Sequence, residues 1–194
     1  MMFPLSISKE EVMQRPLGRY EGPILVLDNS DRIDQALDKI SKSRVVGFDT
    51  EAKPTFKKGQ RRRISLIQIS TEKEVYLLRV KEAGISDKMK VFFEDESLIK
   101  VGIGLTDDFQ LLNEIRSFDP RGFIDLNKTF EHLGAQSIGA RNLAAMVLDL
   151  RISKNAQTSN WEAPDLSTKQ INYAATDAWI CSEIYKKLAY WGYI

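Results

Sequence analysis

The sequence is poor in the side chains that most often bind soft metals or act as nucleophiles. Its 194 residues include one cysteine, Cys181, and one histidine, His132. A single cysteine excludes an intrachain disulfide and any multi-cysteine zinc site, and a single histidine excludes a histidine-rich metal centre. Any metal held by this chain must therefore have oxygen ligands, which Mg²⁺ and Mn²⁺ prefer. Carboxylates remain as the reactive groups to look for.

Long hydrophobic runs and an excess of one charge are also missing. No run approaches membrane-spanning length and the first residues do not form a signal peptide, so we expect a cytoplasmic protein without a membrane partner. Lys plus Arg total 28 and Asp plus Glu total 27, which gives a formal net charge of +1 and no global preference for a polyanion. With 43% hydrophobic residues, the chain is typical of one globular domain, to which the first 20 or so residues are expected to attach loosely.

The apolar pattern predicts strands first, and alternating helices and strands afterwards. In the first half, one helix is expected over 33–40 and strands over 24–27, 45–51, 64–70 and 75–80. Beyond residue 87, strands are expected over 99–104 and 123–126, and helices over 88–94, 108–115, 143–150 and, after a capping-box pattern, 168–189. This order predicts an α/β fold whose mixed central β-sheet, an antiparallel meander followed by parallel crossovers, is flanked by helices.

Two carboxylates, Asp49 and Glu51, follow the apolar segment 45–48. Because side chains alternate along a strand, both carboxylates lie on the same face. Alone, such a pair is typical of a strand end that faces water. Directly after a buried strand it also fits a cleft at the edge of a sheet.

A second polar pair lies on the last predicted helix, among alanines. Tyr173 and Asp177 are four residues apart and therefore share one face. Asp177 lies about two turns into the helix, beyond the reach of the helix dipole that would otherwise explain it. The small neighbours would let the helix approach the sheet and bring this pair beside Asp49 and Glu51.

The segment 101–108 allows two interpretations. A strand, a G-x-G turn and a helix imitate a dinucleotide-binding fingerprint, but Asp107 occupies the position of its third small residue and would repel a pyrophosphate. We favour the alternative, in which Asp107 or Asp108 directs a carboxylate into the cleft. The spacing of Phe109 and Leu112, which predicts a buried stripe, favours Asp108.

Three segments together resemble a known family. They are VVGFDTE over 45–51, KVGIG over 100–104 with Asp108, and SNW over 159–161 leading to YAATDA over 173–178. In order and spacing these segments resemble the motifs of the DEDDy 3′ to 5′ exonucleases, such as ribonuclease D and the exonuclease domain of the Werner syndrome helicase. The resemblance implies a ribonuclease-H-like fold. It also implies a single exonuclease domain over 1–194, with an N-terminal flank over 1–23 and a catalytic core over about 24–190.

Position by position, the resemblance implies a set of site residues. The metal ligands of the family correspond to Asp49, Glu51, Asp108 and Asp177. Tyr173 takes the place of the catalytic residue that orients the attacking water. The family's other subtype has a histidine five residues before the last aspartate, where this chain has Asn172. Ala52 stands where many relatives have an aromatic residue.

The resemblance further implies a reaction. Two divalent cations, Mg²⁺ or Mn²⁺, would support hydrolysis from the 3′ end of DNA or RNA, single-stranded or at the end of a duplex, with release of nucleoside 5′-monophosphates. No small-molecule cofactor beyond the metals is expected. The alternative is a catalytically inactive nucleic-acid-binding module of the same fold.

A basic segment lies in the join between the first two core strands. Its cations are Lys57, Lys58, Arg61, Arg62 and Arg63. A solvated turn or a localisation signal would explain such a run, but its place beside the acidic strand favours contact with backbone phosphates. Two other residues have simpler interpretations: Trp161 is expected to pack over the last helix rather than to stack on a base, and His132 to be structural or on the surface.

Overall fold

The structure, a computed structural model, describes residues 2–54 and 62–194. The strands of these residues are β1 (Ile24–Leu27), β2 (Val45–Ala52), β3 (Ile64–Ser70), β4 (Val75–Leu78), β5 (Ile99–Gly102) and β6 (Phe123–Asp125). The helices are α1 (Lys9–Gln14), α2 (Ser30–Ile40), α3 (Val80–Ala83), α4 (Asp87–Glu94), α5 (Thr106–Ile115), α6 (Leu126–His132), α7 (Ala140–Leu148) and α8 (Thr168–Tyr190). Across these two ranges, no helix combines the length and apolar character that crossing a bilayer requires.

All the strands form one mixed sheet. Its order is β1-β4-β3-β2-β5-β6, with six strands. The pairs β2–β3 and β3–β4 are antiparallel, whereas β1–β4, β2–β5 and β5–β6 are parallel. A short turn joins β3 to β4, while the parallel pairs need crossovers, which here contain helices. The predicted antiparallel meander followed by parallel crossovers is confirmed.

Helices cover both faces of the sheet. On one face, α2, α4 and α5 pack over Val46 and Phe48 of β2 and over Ile67 and Ile69 of β3. On the other face lie α7 and α8, which bury a second set of apolar side chains, including Val101 of β5. Strand β3 is buried on both faces because it lies in the middle of the sheet between these layers.

The long helix α8 lies very close to β2. It begins at the predicted cap, Ser167, which forms a full capping box with Gln170. A Cβ atom on Gly47 would lie 1.9 Å from the carbonyl oxygen of Ala178, so only glycine fits at this crossing. The predicted close approach of the alanine-rich helix to the sheet is confirmed, and it sets the position of everything α8 carries.

The N-terminal segment departs from the prediction. Rather than attaching loosely, it buries Phe3 and Val12, and the Phe3 ring packs 4.9 Å from that of Phe130. Leu17 also forms a backbone bridge with Arg151. The apolar residues of this segment are too few and too irregular to show a helical period, so its packing is visible only in three dimensions.

Several predicted boundaries were also wrong. The predicted strands over 75–80, 99–104 and 123–126 end earlier, because α3 begins at Val80, the chain turns at Gly104 with φ of 74°, and α6 begins at Leu126. The helix predicted over 143–150 begins at Ala140 and ends before Asp149, whose φ is 58°. The short helices α1, α3 and α6 were not predicted.

Candidate active site

Three carboxylates meet where the end of β2 faces α8. Asp49 and Glu51 leave the same face of β2, and Asp177 reaches them from α8. Each offers an oxygen that lies within 4.8 Å of the others. A β-bulge between Glu51 and Ala52 ends the regular pairing with β3 at this point, as bulges often do beside functional sites. These carboxylates line a cleft of about 600 Å³ together with Tyr173.

The helix α5 contributes a fourth acidic group. The Thr50 hydroxyl donates a 2.6 Å hydrogen bond to Asp108, which holds this carboxylate beside β2. Asp108 is not one of the carboxylates whose oxygens meet within 4.8 Å. Its charge nevertheless raises the pKa of Asp49 and Glu51. Asp107 is exposed to solvent instead. Of the two neighbouring aspartates, the structure therefore brings Asp108 to the cluster.

Asp125 stabilises the turn at Gly104 and Leu105, which precedes α5 and therefore helps to position Asp108. The Asp125 carboxylate accepts hydrogen bonds from the backbone N–H groups of Gly104, at 2.9 Å, and Leu105, at 3.0 Å. It also caps α6 by accepting from Asn127. Sequence reasoning missed this role, although an aspartate directly before a helix is a typical N-cap residue.

Tyr173 and Asp177 share one face of α8, as predicted. The Tyr173 ring lies against Trp161, with 5.9 Å between ring centroids. Trp161 is only 1% exposed, which confirms that it packs on α8 and excludes stacking on a base. His132 is exposed, with Nδ1 2.7 Å from the carbonyl oxygen of Lys128, so it is a surface residue as expected.

Burial and mutual repulsion disfavour the charged forms of the cluster. The pKa of Asp49 is raised well above its usual value by burial and by Asp177, Glu51 and Asp108. Burial and the charges of Asp177 and Asp108 raise the pKa of Glu51 to about 9. Burial raises the pKa of Asp177 to about 7 and that of Asp108 to about 6. A divalent cation would relieve this repulsion, and an all-oxygen donor set suits a hard cation, so the residues fit a Mg²⁺ or Mn²⁺ ion.

Tyr173 and Cys181, which also line the cleft, remain protonated. Burial and the charges of Asp177, Glu51 and Asp49 raise the pKa of Tyr173, so its hydroxyl is a hydrogen-bond donor at neutral pH. Burial likewise raises the pKa of the Cys181 thiol, which donates to the Asp177 carbonyl oxygen over 3.2 Å. Cys181 is therefore a poor nucleophile in this setting.

Cations border the cleft on two sides. Arg62 lines it, and its charge lowers the pKa of Glu51 and Asp108. Arg63 is exposed, while Lys57, Lys58 and Arg61 of the predicted basic segment lie outside the described residues. A second cleft of about 580 Å³ adjoins the first at Tyr173 and Asp177, and its lining includes the cations Lys9, Arg141 and Lys154. Sequence reasoning missed these cations because they lie far apart along the chain.

Comparisons with known proteins find relatives over most of the chain. The model of the 3′-5′ exonuclease family matches residues 24–190, the range predicted for the catalytic core. A protein of Acanthamoeba polyphaga mimivirus, to which 3′-5′ exonuclease activity is ascribed, is 31% identical over 92% of this chain and 50% of its own length. The mouse bifunctional 3′-5′ exonuclease/ATP-dependent helicase WRN is 33% identical over 77% of this chain and 11% of its own length. The chain thus spans half or less of these relatives.

Solved structures show the same fold. The exonuclease domain of Nibbler from Aedes aegypti superposes with a TM-score of 0.80 at 22% identity, over 90% of this chain and 94% of that domain. The ribonuclease-H-like fold predicted from the motifs is confirmed.

Proposed function

We propose that this chain, which belongs to the 3′-5′ exonuclease family, hydrolyses phosphodiester bonds from the 3′ end of nucleic acid with the help of divalent cations. The observation that carries the proposal is the meeting of Asp49, Glu51 and Asp177 within 4.8 Å. They meet at the floor of a cleft that also holds Tyr173. The products would be nucleoside 5′-monophosphates.

The carboxylates are proposed to hold two cations, Mg²⁺ or Mn²⁺. Asp49, Glu51 and Asp177 would bind the cations directly, and Asp108 of α5, held by Thr50, would complete the set. When bound, the cations would acidify the attacking water and neutralise the charge that develops on the phosphate. Four carboxylates balance the charge of two such cations, which explains why so many acidic groups converge in one place.

Tyr173 is proposed to position the attacking water. Its hydroxyl stays protonated beside Asp177, so it can donate a hydrogen bond but does not act as a base. Packing against the buried Trp161 limits the motion of its ring. A fixed donor at this point would orient the water toward the phosphate, and such orientation is a large part of catalysis in hydrolytic sites.

The cations around the clefts support a nucleic-acid substrate. Arg62 lies on one side of Tyr173 and Asp177, and Lys9, Arg141 and Lys154 on the other. A strand whose 3′ end enters the first cleft would place its backbone phosphates in the second. Contacts of this kind bind phosphate without reading the sequence.

End-labelled oligonucleotides test this proposal. We expect the protein to shorten 5′-labelled DNA or RNA stepwise in Mg²⁺ or Mn²⁺, to release the label of a 3′-labelled substrate first, and to do neither in EDTA. Asp177→Asn should reduce the rate by at least roughly 100-fold, since even the loss of a residue that only hydrogen-bonds to a metal ligand reaches that range. Asp107→Asn, a change in the exposed neighbour of Asp108, is the matched control and should leave the rate unchanged.

Two results would contradict the proposal. Equal shortening by wild type and Asp177→Asn would place the activity elsewhere. Tight binding of the oligonucleotide without metal-dependent shortening would favour the alternative, an inactive nucleic-acid-binding module.

A further inference from the structure

Gln68, in the middle of β3, is a polar side chain without a partner. It is 0% exposed, and within the described part of the chain neither its Nε2 nor its Oε1 has a hydrogen-bond partner. Native proteins leave few buried polar groups unsatisfied, and those that persist usually have a functional reason. An apolar residue of the same size would fill this position without that penalty.

The register of the sheet places Gln68 directly beside the acidic cluster. In the antiparallel pairing of β2 with β3, Gln68 is the partner of Asp49. Directly opposite residues project from the same face, with Cβ atoms about 5 Å apart. An extended glutamine side chain covers that separation, so its amide can reach the Asp49 carboxylate by rotation of its own torsions, without movement of the backbone.

The other neighbours of Gln68 offer little competition. Its cross-strand partner on β4 is Leu77, and Leu66 precedes it on the same face of β3. Ser70, which follows on that face, donates to the carbonyl oxygen of Thr71. The covering helix α8 contributes the buried alanines Ala174 and Ala175. Asp49 is therefore the acidic group that the paired strand presents to this amide.

We propose that Gln68 is a positioning residue for the metal centre, whose amide donates a hydrogen bond to the Asp49 carboxylate when Asp49 binds a divalent cation. The bond would engage the carboxylate oxygen turned away from the cation and so fix the direction of the other oxygen. Residues that hydrogen-bond to a metal ligand orient that ligand and raise the affinity for the metal. The inference rests on the proposed role of Asp49 as a metal ligand.

Gln68→Met tests the inference, because methionine has a similar length and no group that needs a hydrogen bond. For wild type and variant, the melting temperature is measured in EDTA, and the Mn²⁺ dissociation constant is measured by calorimetric titration. We expect the melting temperature of the metal-free variant to equal or exceed that of wild type, and its Mn²⁺ dissociation constant to rise roughly 10- to 100-fold. If Gln68 served only the packing of the core, a replacement that keeps the melting temperature would leave Mn²⁺ binding unchanged.

Controls separate this inference from the proposed function. Ser70→Ala, on the same face of the same strand but opposite Gly47, should bind Mn²⁺ as wild type does. If wild type binds Mn²⁺, Asp177→Asn does not, and Gln68→Met binds as tightly as wild type, the inference is wrong while the metal centre stands. If wild type binds no Mn²⁺, the proposed function itself fails. Gln68→Leu replaces Gln68→Met should the latter not fold.

Discussion

At the scale of single residues, the acidic cluster works against the stability of the metal-free protein. Glu51 and Asp177 are buried, Asp49 beside them is partly buried, and the pKa values of all three are raised. Such an arrangement is typical of a binding site, since a sequence selected for stability alone would not gather these charges. The cluster is thus better explained by what it binds than by what it contributes to the fold.

The first prediction concerns the pH dependence of stability without metal. Between the ordinary carboxylate pKa near 4 and the raised values of about 7 and about 9, the folded protein binds more protons than the unfolded chain. The free energy of unfolding in EDTA should therefore fall by several kcal/mol as the pH rises from about 5 to about 8, because each carboxylate that is protonated only in the folded state contributes about 1.4 kcal/mol per pH unit. Urea unfolding at several pH values measures this slope.

The control for this prediction is Asp177→Asn, in which the slope should be shallower. The range stops near pH 8 because burial lowers the pKa of Lys100 to about 8, and loss of that proton would add a slope of opposite sign above it. Stability that is constant or rises from pH 5 to 8 in the wild-type protein would contradict the raised pKa values.

The second prediction concerns the Tyr173 hydroxyl. Tyr173→Phe keeps the ring against Trp161 but removes the donor beside Asp177. The turnover rate should fall about 10- to 100-fold, as expected when an attacking group is less well oriented. The melting temperature should stay at the wild-type value, because the ring keeps its packing against Trp161. Turnover equal to that of wild type would exclude the positioning role.

At the scale of elements, the site depends on how closely α8 crosses β2. This crossing brings Asp177 to Asp49 and Glu51, and glycine at position 47 permits it. Because the atom opposite Gly47 is a backbone carbonyl oxygen, no side-chain rotation can make room for a larger residue. The geometry of the carboxylates therefore follows from the packing of two backbones.

The third prediction tests this crossing. Gly47→Ala would place a Cβ atom 1.9 Å from the Ala178 carbonyl oxygen, so the helix must shift away from the sheet. We expect a loss of roughly 3 kcal/mol, which for a chain of this length lowers the melting temperature by roughly 6–12 °C. Differential scanning calorimetry measures the change. A melting temperature within 1 °C or so of wild type would show that the crossing is looser than the structure indicates.

The elements that carry the site were also the easiest to predict. Strand β2 is a continuous apolar run ending in carboxylates, and α8 has a capping box and a long helical period, so both were found from local patterns. Helices α1 and α6 were not, because each buries only one or two apolar residues. The bracing of Gly104 and Leu105 by Asp125 joins separate elements and leaves no local pattern.

At the scale of the whole molecule, near neutrality conceals a separation of charge. The balance of 28 cationic and 27 acidic residues gives no indication that the chain binds a polyanion. In three dimensions, however, the acidic cluster forms the floor of a cleft, and cations from distant parts of the chain border it: Lys9, Arg62, Arg141 and Lys154. This arrangement suits a substrate whose backbone is anionic and whose scissile bond needs cations.

The N-terminal segment belongs to this arrangement as well. Val12 and Lys9 of α1 line the second cleft, while Phe3 packs among aromatic side chains of α6 and the C-terminal residues. The sequence predicted a loose flank, because a few scattered apolar residues do not reveal where they pack. The predicted core, in contrast, coincides with the range that the family model matches.

The most direct test of the central claim is a crystal structure of the protein with Mn²⁺ and a short oligonucleotide, with anomalous scattering recorded for manganese. The account predicts manganese peaks within coordination distance of Asp49, Glu51 and Asp177, with the 3′-terminal nucleotide in the cleft beside Tyr173. Peaks confined to other parts of the surface, or a cleft that binds the oligonucleotide while the three carboxylates hold no manganese, would contradict it.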